Sequence, residues 1–552
     1  MRPSDLNSPR SAAAVIGVVA LFFLVLTLPL ATERVAGGRS SERQGYTAGI
    51  IRIYCQEPGH SVLAGPQIHF GRNPFNLELT IFEKLQGLAA RAISHGECDL
   101  AVERVGKYFS IAMSALGIVA VAGVAWHLWG PLAAALAALL LGTDELWLRY
   151  STYTMIENRV LTLGVLAILA SLKRRPVAAG LLWALTFMQK PQIFVFLTAF
   201  WGITELLRAR SLGKLFAEKR FRALCGAYLG AVVVSLAWFK WTAALDVKND
   251  LPWIIHTGPR ISRWYFGDWA ERTSLKYAKN LLLAWFRETG LSVALPIALV
   301  LFAVRQARAE RADPRELLKR ALPMLAALFF YTFIFWNVFI VHEYYALPIN
   351  IGRSLATGGV LALVLLALPT ARKLRPLAAI IAITVAIVVA RFAFVGVRDY
   401  ENFVLHLNDP AAWNYQADWN HPVFPKKYGF AVVAVPGTGR DLLFLYMASQ
   451  RGFVWCSSNP VYAPRAFWKS QGVEYVAWTD HMDPATHRMV YTVRSIDDEL
   501  AYARARGWSS DIKDVWAGRS MAEWSRLASE NGRDPCLRSE DQDPRKWEQP
   551  RS

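Results

Sequence analysis

Apolar runs of about 20 residues, the length that crosses ~30 Å of hydrocarbon as a helix, recur through the first 400 residues and stop after Val397. In lipid every backbone polar group has to be satisfied inside the chain, so such a series reads as a bundle of membrane helices. Eleven spans are predicted, at 12–31, 107–127, 131–148, 157–172, 177–189, 193–207, 221–243, 289–304, 322–341, 349–368 and 377–394. Either side of Lys190-Pro191 the apolar stretch is short, and one long broken helix there is the alternative. The first run follows Arg2 and Arg10 as a signal peptide would, but it is too long for one and lacks a small-residue cleavage site. It is read as a retained anchor.

A net charge of +18 on 552 residues raises the question of nucleic acid, and the location of the charge excludes it. Residues 398–552 hold 19 basic against 20 acidic residues, whereas the short segments 1–10, 173–175, 208–222, 305–320 and 372–375 hold 20 basic and five acidic ones. That is the positive-inside pattern. With eleven spans all five segments fall on one side, so the amino end is expected in the cytoplasm and the carboxyl end outside it.

The predicted fold is therefore mainly α: a polytopic membrane protein of about 11 transmembrane helices, with a first outside loop and an α/β extracytoplasmic domain at the carboxyl end. The membrane module is expected over 1–397 and the soluble domain over 398–552, with a disordered tail from about residue 530. In the loop, 32–106, the stretch NLELTIFEKLQGLAARAI sets Leu77, Ile81, Leu85, Leu88 and Ala92 on one helical face, as a helix lying on the membrane would. In the soluble domain AVVAVP, FVWC and YVAWT are strand-like, and RDLLFLYMASQR and PRAFWKSQG helix-like. The turn PGTGRD has neither GxGxxG nor P-loop spacing, which argues against nucleotide.

Two cysteine pairs share a side under this topology, Cys55 with Cys98 and Cys456 with Cys536. Each is either a disulfide or two free thiols, and Cys225 reads as a small core residue. No His, Cys and carboxylate set has metal-ligand spacing, so no metal is expected.

Ionisable groups gather where the spans meet the outside. Tyr46, Arg52, Glu57, His69, Glu78 and Glu83 come from the first loop, Asp144, Glu145 and Glu157 from the third and fourth spans, Lys190 from a turn, and His342 and Glu343 from HEYYALP. An outward pocket of these would hold an anionic lipid headgroup on Arg52 and Lys190, with a carboxylate as base. Glu83 has a blander reading as a solvated surface residue, as do Asp144 and Glu145 as markers of a helix end. The spans' interiors are nearly free of charge, which disfavours an ion-coupled transporter.

Four stretches, in this order, carry a resemblance: RQGYTAGIIRIY, FNLELTIFEKLQGLAARAI, YSTYTMIENRVL and VHEYYALPINIGRSLATGG. Together they resemble the GT-C class of membrane glycosyltransferases, in the bacterial branch related to dolichyl-phosphate-mannose protein mannosyltransferases and the aminoarabinose transferases of lipid A. The likeness covers about residues 12–394. It implies an inner-membrane enzyme with a periplasmic carboxyl-terminal domain, which moves a sugar from a polyprenyl-phosphate-linked donor to an extracytoplasmic acceptor. No cofactor is implied, because the glycosyl phosphate bond holds the energy. Arg43, Thr47, Ala48, Ile50 and Arg52 match the family's first-loop pattern, whereas Tyr46 stands at the position of its catalytic acid. Glu78, and after it Glu57, are the candidate bases. Tyr46, Arg52, His69, Glu157, Lys190, His342, Tyr344 and Tyr345 are the candidate substrate-binding residues. The alternatives are a non-catalytic partner that binds a lipid-linked sugar, and a transporter or flippase.

Overall fold

A computed structural model describes residues 8–32, 41–66, 78–95, 98–209, 211–248, 315–335, 343–367, 393–401, 430–434, 451–455, 465–470, 472–482 and 489–508, with short pieces at 273–275, 278–279, 390 and 423–425. The expected span 289–304, nearly all of 377–394, His69, His342, Cys456, Cys536 and the tail beyond 530 lie outside the described residues.

In chain order the helices are α1 (Pro9–Thr27), α2 (Ser41–Gln56), α3 (Ile81–Ser94), α4 (Cys98–Trp129), α5 (Pro131–Gly142), α6 (Glu145–Ser151), α7 (Glu157–Leu172), α8 (Pro176–Gln189), α9 (Pro191–Arg208), α10 (Leu212–Ala217), α11 (Lys219–Lys248), α12 (Arg315–Ile334), α13 (Leu347–Ala367), α14 (Arg465–Ser470) and α15 (Ile496–Ala505). The strands are β1 (Phe430–Ala434), β2 (Arg451–Trp455), β3 (Tyr475–Met482) and β4 (Met489–Ser495).

Proline sets several of these boundaries. Pro9, Pro131, Pro176 and Pro191 each open a helix, where the missing N–H costs nothing and φ is already helical. The residue before a proline is pushed out of the α region, and Lys190 is extended at φ −155°, ψ 93°. The apolar stretch is thus two helices with a break at Lys190. At 14 residues α8 is about 21 Å long, short of the hydrocarbon thickness. Asp144 caps α6 by accepting from the Trp147 N–H at 3.0 Å, and α5 and α6 meet at 64°.

Helices occupy most of the described residues of the other expected spans, but length and hydropathy qualify only some of them. Among the described residues three helices are long and apolar enough to cross a membrane, 9–31, 98–129 and 219–242, or four if the bent pair α5 and α6 counts as one span.

The chain divides into two compact units, one of 1–32, 77–79 and 107–404, the other of 33–76, 80–106 and 405–552. In the first, small residues let helices approach closely. A Cβ on Gly358 would come within 2.8 Å of the Ala137 backbone nitrogen, and one on Gly359 within 2.6 Å of the Trp129 ring, so α13 lies hard against α5 and the end of α4. Around α8, α9 and α11 an aromatic cluster fills the interior. Phe194 stacks between Phe187, at 4.4 Å, and Tyr228, at 5.5 Å, with Trp183 edge-on at 5.5 Å.

In the second unit α2 and α3 pack face to face. Gly87 of α3 sits where a Cβ would fall 2.7 Å from the Ile51 carbonyl, and the disulfide Cys55–Cys98, with Cα atoms 6.0 Å apart, ties the end of α2 to the start of α4. The buried face of α3 is Glu83, Gln86, Gly87 and Ala90, while Leu85, Leu88 and Ile93 are exposed. Most of the apolar stripe read from the sequence, Leu85, Leu88 and Ala92, is therefore a face that no described residue covers, with Ile81 half-buried. The sheet of this unit has the order β2-β1-β3-β4, with β1 parallel to β2 and β3, and β4 antiparallel to β3. Val432, Trp468, Val473, Val476, Trp478, Ile496 and Leu500 form its core.

Candidate functional site

In the first unit, ionisable groups converge at the break between α8 and α9. The extended backbone at Lys190 turns its side chain inward, where it forms an ion pair with Glu157 in the first turn of α7. Both side chains are buried, at 6% and 1% exposure. A pair taken out of water in this way is held only by close geometry and further polar partners. Two tyrosines supply them, for the Lys190 ammonium lies 4.9 Å from the Tyr344 ring centre and 5.1 Å from that of Tyr345. The tyrosines stand on the 3-10 turn Glu343–Ala346 before α13. The Tyr331 hydroxyl on α12 fixes that turn by donating to the Tyr345 carbonyl at 2.9 Å, and Tyr150 of α6 meets Tyr344 edge-on at 6.3 Å.

A second ion pair has a buried carboxylate and a half-buried guanidinium. The Asp144 carboxylate that caps α6 also binds the Arg353 guanidinium and accepts from Asn350 Nδ2 at 2.7 Å. Asn350 and Arg353 are i, i+3 on α13, one face of one helix turn. This anchors the element that carries Tyr344 and Tyr345. A third contact reaches the same break, as Arg159 of α7 donates through Nε to Gln189 Oε1 at 3.3 Å, one residue before Lys190.

Of the residues singled out in the sequence, Glu157, Lys190, Tyr344 and Tyr345 are brought together here. Glu78 belongs to the same unit and is half-buried, and the Leu79 N–H donates to the Met188 carbonyl at 3.1 Å, which ties its segment to the chain two residues before Lys190. Tyr46, Arg52 and Glu57 belong to the second unit. There Tyr46 is buried on α2, Arg52 is buried with Asp99 4.0 Å away, and Glu57 is half-exposed and paired with His60 at 2.5 Å. The Tyr54 hydroxyl, on the same helix, donates to the Ser61 carbonyl at 2.8 Å and meets Thr80 Oγ1 at 2.6 Å, and burial raises its pKa. Among the described residues no three His, Cys, Asp or Glu side chains converge as a metal would need.

Sequence reasoning passed over Arg353, Asn350, Arg159 and Gln189. A signal existed for the first two, since an Asn and an Arg three residues apart inside an apolar run mark a polar stripe that has to find partners.

No family model matches the sequence, and no curated protein matches it as a relative. Among solved structures the chain is similar to ArnT from Cupriavidus metallidurans bound to undecaprenyl phosphate, at 14% identity and TM-score 0.49, over 90% of this chain and 95% of that one. It is similar to the Archaeoglobus fulgidus oligosaccharyltransferase at 13% identity and TM-score 0.47, over 86% of this chain and 70% of that one. Arabinofuranosyltransferase AftD from Mycobacteria is similar at 15% identity and TM-score 0.46, over 88% of this chain but 36% of that one. These neighbours are glycosyltransferases of the GT-C class, the class that the sequence resembles. With TM-scores below 0.5, the likeness carries no residue's role over to this chain.

Proposed function

We propose that this chain is a membrane glycosyltransferase of the cell inner membrane, with its carboxyl-terminal domain in the periplasm, that moves a sugar from a polyprenyl-phosphate-linked donor to an extracytoplasmic acceptor. The observation that carries the reading is the buried Lys190–Glu157 pair under Tyr344 and Tyr345, at a break between two apolar helices. A charged group is kept at such a place against a large desolvation cost, which is most readily understood if it meets a charged ligand. A phosphate joined to a lipid tail fits that requirement, since its tail stays in hydrocarbon while its charge meets Lys190. The tyrosine rings offer flat faces to a sugar.

In the reaction the acceptor's nucleophile attacks the anomeric carbon. The bond from that carbon to the phosphate oxygen breaks, and the phosphate leaves with the electron pair. Lys190 stabilises the charge that develops on it. The acceptor's proton passes to a carboxylate, and Glu78 is the base assigned here because Leu79 ties its segment to Met188 beside the site.

Tyr46, at the position of the family's acid, motivates the second reading, a partner that binds the lipid-linked sugar without turning it over. Purified protein in lipid nanodiscs, given a radiolabelled polyprenyl-phosphate sugar, separates the two. The enzyme reading expects transfer by the wild type, lost in Glu78→Gln and kept in Glu57→Gln. Binding with no transfer by the wild type decides for the partner, and passage of intact donor across a vesicle membrane decides for a flippase.

A further inference from the structure

Gln189, the last residue of α8, is 1% exposed. Its amide oxygen accepts from Arg159, which fixes the orientation of the group and leaves the NH2 edge, Nε2, with no acceptor among the described residues. A buried donor in that state carries its full desolvation penalty, so its persistence calls for a ligand that accepts. Its surroundings say what kind. The cation Arg159 holds the amide through the hydrogen bond, and the next residue, Lys190, brings a second cation, paired with Glu157. Two helices also begin at this place, α7 at Glu157 and α9 at Pro191, and neither has a side chain capping its first turn. Uncapped helix starts carry partial positive charge and point their free N–H groups outward from the helix end. A neutral acceptor would satisfy the amide alone, whereas an oxyanion also suits the cations and the helix ends.

We infer that Gln189 and Arg159 form, with Lys190, a seat for a phosphoryl oxyanion, in which Gln189 Nε2 donates to an oxygen of the anion and Arg159 holds the amide in the orientation that makes this possible. This rests on the proposed function for the identity of the anion as the donor's phosphate. The assignment of Gln189 as a binding residue and Arg159 as a positioning residue adds two side chains that the sequence did not reveal.

The test uses the full chain in nanodiscs and equilibrium binding of undecaprenyl phosphate, with the neutral undecaprenol and inorganic phosphate as comparison probes. Gln189→Glu is the informative variant. Its carboxylate keeps an oxygen for Arg159, so the thermal midpoint is expected to hold or rise, while the new negative charge meets the anion and binding weakens at least about tenfold. Gln189→Met, close in volume and without a donor, is expected to weaken binding by about tenfold without repulsion, and it serves if the glutamate variant does not fold. Undecaprenol binding is expected to be the same in all three proteins. Competition by inorganic phosphate, lost in the same variants, would identify an oxyanion seat that needs no lipid tail, and its absence a seat that needs the tail. Undecaprenyl phosphate binding unchanged in a folded Gln189→Glu or Gln189→Met protein overturns the inference. Its failure is distinct from that of the proposed function. A wild type that transfers no sugar yet binds the phosphate through Gln189 loses the enzyme reading and keeps the seat.

Discussion

At the amino end of α8, Arg174 places its two terminal nitrogens on the Glu205 carboxylate, at 2.7 and 3.0 Å, and its Nε on Glu218 at 3.1 Å. At the carboxyl end Lys190 meets Glu157 beneath two tyrosine rings. The two ends lie about 20 Å apart along one helix. The arginine fork is closed on fixed acceptors, and its hydrogen bond to Glu205 raises the guanidinium pKa further. Such a node ties helices together and commits four of its five N–H donors to fixed acceptors, Ser171 among them. Lysine is a point charge with three rotatable donors, and the residue before it carries an amide whose NH2 edge has no acceptor among the described residues. The comparison separates a structural ion cluster from a binding one by what each leaves unsaturated, since both are largely buried.

Five variants sharpen this contrast. The largest effect is expected from Lys190→Gln, with sugar transfer reduced at least about 100-fold in the radiolabel assay and a lower thermal midpoint, because Glu157 is left buried without its cation. The double variant Glu157→Gln with Lys190→Gln is expected to recover the midpoint and none of the transfer. Arg174→Ala reverses the pattern. Glu205 loses both its hydrogen bonds to arginine, stability falls by about 2–3 kcal/mol in denaturant unfolding, and the donor Kd stays within twofold. Tyr345→Leu removes one aromatic face from the lysine, and donor affinity is expected to fall about fivefold in equilibrium binding. Smallest is Trp183→Phe, which removes the indole hydrogen bond to Ser171 at 3.3 Å and costs about 1 kcal/mol of stability with no change in donor binding. If Arg174→Ala weakened donor binding as much as Lys190→Gln, the distinction between the ends would fail.

Local chemistry made part of this legible in the sequence. Pro131 opens α5 where the span was expected, whereas the starts expected at 177 and 193 fall one and two residues after the prolines that open α8 and α9, and the same proline chemistry extends the backbone at Lys190. HEYYALP marked Tyr344 and Tyr345 as a polar, aromatic interruption between apolar runs, and Glu157 opened a run as Lys190 interrupted one. Pairings across long separations were not legible. Asp144 and Arg353 are 209 residues apart, and nothing near either residue names the other. Gln189 looked like an ordinary helix end, because its significance lies in which edge of its amide Arg159 occupies. For α3 the periodicity gave the apolar stripe, but which face a neighbour covers depends on Gly87 admitting α2, a contact between two helices. The strand β4 went unread because MVYTVRS alternates weakly, although Asp483-Pro484 before it is a turn signal.

The central claim is that the Lys190 end of α8 binds the phosphate of a lipid-linked donor. Equilibrium binding of undecaprenyl phosphate to the wild type and to the Glu157→Gln, Lys190→Gln double variant tests it most directly, because that variant removes the charges together and keeps the shape. The account predicts saturable binding by the wild type, and affinity lower by at least about 100-fold in a variant whose thermal midpoint is unchanged. Equal affinity in the two proteins, or no saturable binding by the wild type, would contradict it.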